Sequence, residues 1–173
     1  KLSLDFGGGN LSSDAGLLLV RSFMEKLGLR PLLEKLFDGA PRRTHQTSSV
    51  IEQLLYQNIA GYHQDDAADD LRNDPIFTTI LDKEALASQP TISRAMKSFK
   101  TEDLEKFNAL LEIVYKKTNS PKEKKHIILD LDSTNVQTYG HQEESEYIYH
   151  YSTSGYHPLI LYDGLIGDLM KFE

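Results

Sequence analysis

The chain has 173 residues, 39% hydrophobic and 26% charged, which suits one or two compact domains and excludes a fibrous or disordered polypeptide. It has no cysteine, which excludes disulfides and thiolate metal sites, and no apolar run long enough to span a membrane, so a soluble cytoplasmic protein without a membrane partner is expected. The formal net charge of −7 counts against nucleic acid as a partner of the whole surface, because neutralisation of phosphates by Lys and Arg dominates that affinity.

In chain order, KLSLDF alternates like a short strand and GGGN follows as a turn. LSSDAGLLLVRSFMEKLGL then has helical spacing, with Ser12 or Ser13 as N-cap and Gly28 as the stop, and RPLLEKLF adds a short helix ending near Asp38-Gly39. RRTH places Arg42 and Arg43 in a loop as candidate phosphate contacts. From Thr47, SSVIEQLLYQNIAGY is amphipathic, with Val50, Ile51, Leu54, Leu55 and Ile59 facing a core and Gly61 ending the helix. The next stretch is dense in acid, at Asp65, Asp66, Asp69, Asp70 and Asp74. Its spacing lacks the glycine and terminal Glu of a calcium loop, so it reads as a solvated, helix-capping stretch.

ASQPTISRAMKSF reads as a turn at Ser88 or Gln89, Pro90 at a first helical position, and a helix carrying Thr91, Ser93, Arg94 and Lys97. A short helix, a turn and a second helix with small polar residues and Arg near its start is what a helix-turn-helix DNA reader needs, although many helical bundles share the pattern. TEDLEKFNALLEIVYKKT completes the helical part, with Thr101 as N-cap, Glu102 and Asp103 suited to the start and Lys116 and Lys117 to the end. Those two lysines open KKTNSPKEKK, which composition favours as a solvated linker and which also offers phosphate contacts. The periodicity then changes to HIILDLD, a Tyr-rich loop, and YHPLILYD with LMKFE as a hairpin around GLIG. The layout is α+β, with residues 1–120 mostly helical after a short initial strand and residues 121–173 beginning a sheet.

The apolar run Ile127, Ile128, Leu129, Leu131 predicts a buried strand, on which Asp130 and Asp132 share one face. Carboxylates that close repel one another, so one should be driven toward protonation unless a cation or a donor compensates. Three readings stand. Either Asp caps a turn, since Asp-Ser-Thr is good turn chemistry. A hydrolytic acid and base pair ranks low, because neighbours on one strand face cannot flank a bond. A hard-oxygen site for Mg²⁺ needs only one or two protein carboxylates, with water and phosphate completing the shell. Around this strand lie Tyr139, His141, Tyr147, Tyr149, His150, Tyr151, Tyr156 and His157. Packing is the favoured reading for most of them; stacking on bases is the functional one, with His150 and His157 as weak secondary ligands.

LSSDAGLLLVR, the helix ending IAGY with DDLRNDPIF after it, SQPTISR, LDLDSTNVQTYGHQE and YIYHYSTSGYHPLILYDGLIGD together resemble the N-terminal part of an insertion-sequence DDE transposase of the group 1 branch. The resemblance implies a helical N-terminal DNA-binding or scaffold region followed by the first three antiparallel strands of a ribonuclease-H-like sheet. It implies that Asp132 is the first catalytic Asp and a metal ligand, and it leaves Asp130 as an auxiliary ligand or a neighbour. It also implies two Mg²⁺ (or Mn²⁺) ions that activate a water or a 3′-hydroxyl for strand cleavage and transfer. The partners implied are double-stranded DNA, at insertion-sequence ends and target, and further copies of the chain during transposition, in the bacterial cytoplasm at the nucleoid. The second Asp and the Glu of such a triad would follow Glu173, so the chain alone is expected to be inert and to leave an open edge that another copy could cover. The alternatives are a non-catalytic DNA-binding module and an acidic helical interaction domain.

Overall fold

The computed structural model describes residues 11–39, 44–119, 126–140 and 142–173. The initial strand expected at KLSLDF lies outside them. Among the described residues there are seven helices and two small antiparallel sheets, an α+β chain that divides into two compact units, one ending at Lys100 and the other spanning Thr101–Glu173.

In the first unit, α1 (Leu17–Leu27) begins later than the serine caps predicted. Ser12 Oγ does accept a backbone N–H, but from Asp14 at 3.2 Å, and the Asp14 carbonyl closes a turn on Leu17 N–H. That turn consumes the capping groups, and Gly16 becomes the N-cap. Gly28 takes a left-handed φ of 65°, open to glycine at little cost, and its N–H returns to the carbonyls of Met24 and Glu25. The chain is thereby turned directly into α2 (Leu29–Phe37).

Helix α3 (Thr47–Ile59) buries Val50, Ile51 and Tyr56, with Leu54 and Leu55 half-buried. Ile59 departs from the expected core set: it is the last helical residue, the chain turns away at Gly61, and its side chain stays exposed. The acidic stretch does cap helices. After the single turn α4 (Ala67–Asp70), Asp74 Oδ1 accepts the N–H groups of Ile76 (2.8 Å) and Phe77 (3.0 Å) at the start of α5 (Pro75–Leu81). Asp69 Oδ1 accepts Gln89 N–H at 3.0 Å and Asp65 Oδ2 accepts Gln89 Nε2 at 2.8 Å, fixing the start of α6 (Gln89–Lys97). Ser88 is its N-cap and Pro90 its second residue, where a missing N–H costs nothing.

Leu17, Tyr56, Leu71, Phe77, Ile80, Leu81 and Leu86 form one buried cluster, and Val50, Ala68, Ala87 and Ile92 another. Two polar devices tie these elements together. Buried Gln53 donates from Nε2 to the Ala87 carbonyl (3.0 Å) and accepts Ala87 N–H at Oε1 (2.9 Å), so one amide closes both backbone groups of a segment without a ladder. Arg30 on α2 donates to Glu52 on α3 (2.9 Å), to Asp82 (2.6 Å) and to the Ile80 carbonyl (3.0 Å), joining three elements through one planar guanidinium. Burial alone would lower the Arg30 pKa, and the hydrogen bonds to Glu52 and Asp82 outweigh it, so the group is held more firmly charged. Arg21 adds a further contact to Asp82 at 3.2 Å.

In the second unit, α7 (Thr101–Thr118) carries Glu102 and Asp103 in its first turn and Lys116 and Lys117 in its last, as its dipole favours. By its contacts α7 belongs with the strands, whereas the change of periodicity in the sequence falls after it. β1 (Leu129–Ser133), β5 (Leu159–Asp163) and β6 (Asp168–Phe172) form one antiparallel sheet in the order β1-β5-β6. These are the three strands expected, with GLIG in the hairpin. The Tyr-rich loop is a correction: β2 (Val136–Gln137), β3 (Glu146–Ile148) and β4 (Thr153–Tyr156) make a second sheet in the order β2-β4-β3. Strands this short, broken by positive φ at Gly140, Glu144 and Ser152, hold too few residues for alternation to show.

The prediction that β1 is buried is also overturned. Leu129 is 62% and Leu131 60% exposed. Among the described residues β1 is an edge strand whose one neighbour is β5, and α7 packs on β6 at the far side of the sheet. The α7 seam is again an amide bracket, with Asn108 Nδ2 donating to the Phe172 carbonyl (2.9 Å) and Phe172 N–H donating to Asn108 Oδ1 (3.0 Å).

Gln53→Leu leaves the buried carbonyl and N–H of Ala87 unpaired and should destabilise the chain by roughly 2–4 kcal/mol, read as a lower urea midpoint with an unchanged m-value. The Arg30 hydrogen bond holds the Asp82 carboxyl below the usual range against some desolvation, with Arg21 assisting. A depressed carboxylate contributes stability that is complete above its unfolded pKa of about 3.9 and fades as pH falls through the lower folded value. Asp82→Asn should therefore narrow its stability deficit as pH drops from about 5 toward 2, measured by urea unfolding across that range.

Candidate functional site

Antiparallel pairing with β5 sets Asp130 opposite Tyr162 and Asp132 opposite Ile160, so both carboxylates leave the same face of β1, and both are exposed. Asp132 Oδ1 accepts the N–H of its strand neighbour Ser133 at 2.7 Å, and Oδ2 has no protein partner among the described residues. The strand end is fixed from two sides. Thr134 N–H donates to the Pro158 carbonyl (3.1 Å), and the Tyr151 hydroxyl donates to the Ser133 carbonyl (3.2 Å). Tyr151 in turn packs edge-to-face with His150 (4.8 Å between ring centres) and His157 (5.6 Å). The two histidine rings thus flank the tyrosine that holds the end of β1, and Tyr147 and Tyr149 form a separate, exposed pair. His141 lies outside the described residues.

Two exposed carboxylates on one strand face, one of them with an unshared oxygen, fit a hard cation that keeps most of its water. Among the described residues no three His, Asp or Glu side chains converge on one point, so these two supply at most part of a coordination shell.

The remaining predicted contacts divide by position. On α6, Thr91 and Arg94 line a cavity with Thr44, His45 and Thr47, while Ser93 and Lys97 open on the other side beside His63, Asp65 and Asp66. The helical turn separates what the sequence presents as one cluster. Lys116 is ion-paired with Glu112 one turn earlier, and that contact lowers the Glu112 pKa. Arg42 and Arg43 lie outside the described residues.

Two residues matter here that sequence reasoning passed over. Asp163 is fully buried: it accepts the Tyr115 hydroxyl from α7 at 2.6 Å and Leu165 N–H at 3.0 Å, holding both the helix and the β5-β6 turn. Asp before Gly in YDGLIG signals the turn, but not the burial. Gly155 sits where β4 meets both neighbours, and a Cβ there would lie 2.3 Å from the Val136 carbonyl oxygen.

An α+β chain with an Asp-bearing antiparallel edge strand is the class this geometry defines. The family model for the transposase DDE domain, group 1, matches residues 1–173, and the chain belongs to that family. No curated protein matches the chain, and no solved structure does. The family is one of transposases, phosphodiester-transfer enzymes that act on DNA and generally use divalent metal ions. No described helix is long and apolar enough to cross a membrane.

Gly155→Ala should push β2 away from β4 at a cost of about 1–3 kcal/mol and speed amide exchange at Gln137 and Thr138, in the segment that follows β1. Unchanged exchange there would show that the β2–β4 pairing does not depend on the close approach at Gly155.

Proposed function

We propose that this chain presents the first catalytic carboxylate of a transposase that cleaves DNA at insertion-sequence ends and transfers the strands to a target. The observation that carries the reading is the placement of Asp132: a free carboxylate oxygen at the braced end of an exposed strand, with Asp130 on the same face, in a chain of the DDE family. Asp132 would hold Mg²⁺ or Mn²⁺, with Asp130 as its auxiliary ligand, and the full enzyme would use two such ions. When bound, the metal supplies Lewis-acid activation of a water or 3′-hydroxyl and offsets charge on the phosphodiester.

The protein's own contribution is positional. Ser133 N–H orients one oxygen of Asp132 and so directs the other outward, while Tyr151 and the Thr134–Pro158 bond keep the strand end from fraying. A substrate phosphate reaching this face meets two carboxylates, and therefore approaches only with a cation between them. The apolar β1 edge supports assembly of copies during transposition, since an edge exposing Leu129 and Leu131 is suited to cover. Duplex contact is assigned to α6, through Thr91, Ser93, Arg94 and Lys97, with Lys116 and Lys117 at the end of α7.

Calorimetric titration of Mn²⁺ into the chain and into Asp132→Ala, without DNA, tests the metal role. Saturable binding that falls at least tenfold in the variant is expected; equal binding in both would remove Asp132 from the metal site and favour a DNA-binding module in which that carboxylate is idle.

A further inference from the structure

The cavity between the start of α3 and the Thr91–Arg94 face of α6 has a volume of about 510 Å³ and no carboxylate in its lining. Its polar groups are the hydroxyls of Thr44, Thr47, Thr91 and Ser98, the imidazole of His45 and the guanidinium of Arg94. Arg94 differs from Arg21 and Arg30 in its partners. Arg21 and Arg30 are each held by two carboxylates. Arg94 has, among the described residues, one neutral partner, the Thr91 hydroxyl at 3.3 Å. Its charge therefore faces the cavity without an anion to balance it.

The surroundings point the same way. Lys83 Nζ donates to the Thr44 carbonyl at 3.4 Å, placing a second cation at the rim. His45 is held below its usual pKa by burial first, then by Lys83 and Arg72, so the local potential is positive in a chain whose formal net charge is −7. The side chains of Thr44 and Thr47 have no hydrogen-bond partner among the described residues. A delocalised cation, hydroxyl donors and a neutral imidazole, without a competing carboxylate, make a donor set that matches a tetrahedral oxyanion. An acidic surface repels a polyanion on average, so a duplex can be gripped only where carboxylates are absent.

We propose that this cavity is a phosphate site that takes one backbone phosphate of duplex DNA, with Arg94 as the charged anchor and Thr44, Thr47, Thr91 and His45 as surrounding donors. The proposal rests on the transposase reading for its choice of DNA as the source of the phosphate, and it separates Arg94 and Thr91 from Ser93 and Lys97, whose side of α6 is shared with Asp65 and Asp66.

The test is fluorescence anisotropy of a labelled random-sequence duplex over a range of KCl, with the native chain, Arg94→Gln, Arg94→Lys and Lys35→Gln, an exposed lysine on α2 that removes the same charge elsewhere. Circular dichroism melts confirm that each variant folds. Arg94→Gln should weaken binding about tenfold or more and lower the slope of log K against log salt by about 0.9. Arg94→Lys should retain the slope, and Lys35→Gln should change affinity by less than about twofold. Native-like binding by Arg94→Gln, an equal loss in Lys35→Gln, or no duplex binding by the native chain would each overturn the proposal. Inorganic phosphate titrated into the same proteins separates the sources: an Arg94-dependent phosphate signal with duplex binding unaffected would identify a free phosphate ligand and overturn the assignment to DNA. None of these outcomes alters the Mn²⁺ titration at Asp132, which is read without DNA.

Discussion

The structure depends on one constraint, that backbone N–H and C=O groups buried outside a helix or a ladder must still be hydrogen-bonded. Short helices and short strands leave many such groups, and side chains close them. Gln53 brackets Ala87 and Asn108 brackets Phe172, each with one amide satisfying a donor and an acceptor. Arg30 takes the Ile80 carbonyl while pairing Glu52 and Asp82, and Asp74 takes the first free N–H groups of α5. Apolar clusters supply most of the free energy of folding, but they are non-directional, and it is these brackets that set which element lies against which.

The same logic shapes the strand that carries Asp130 and Asp132. Among the described residues β1 has a neighbour on one side only, and its end is secured by a tyrosine hydroxyl and a backbone bond, with histidine rings against the tyrosine. An edge position keeps Asp130 and Asp132 in water, where two carboxylates on one face cost little; burial would have made the pair expensive without a cation already in place. The exposed leucines on the same strand are the counterpart of that arrangement. A strand open enough to keep two carboxylates in water also exposes its apolar residues.

Electrostatics divides the helical unit in a way that net charge conceals. Acidic residues are used up as caps and ion pairs: Asp65 and Asp69 on Gln89, Asp74 on α5, Glu52 and Asp82 on Arg30. Arg94 is left beside hydroxyls and a neutral imidazole. A chain can thus be acidic overall and still offer an anion a local foothold, because screening confines each charge to its own neighbourhood.

Much was legible in the sequence. Helical spacing located the long helices α3 and α7, Gly28 marked the end of α1, and the run of β-branched and apolar residues around Asp130 and Asp132 gave the first strand with its hairpin partners. The acidic stretch was readable as capping because its spacing lacks the glycine and terminal Glu of a calcium loop, and Asp74 does cap α5. These features are local, set by φ preferences and by the period of a few residues. What tertiary structure alone decided is everything that depends on distant partners: that β1 is exposed, that the tyrosine stretch folds into a second sheet, that Asp163 is buried under Tyr115, and that Arg94 and Lys97 open on different surroundings. Period tells which residues share a face; only packing tells what the face meets.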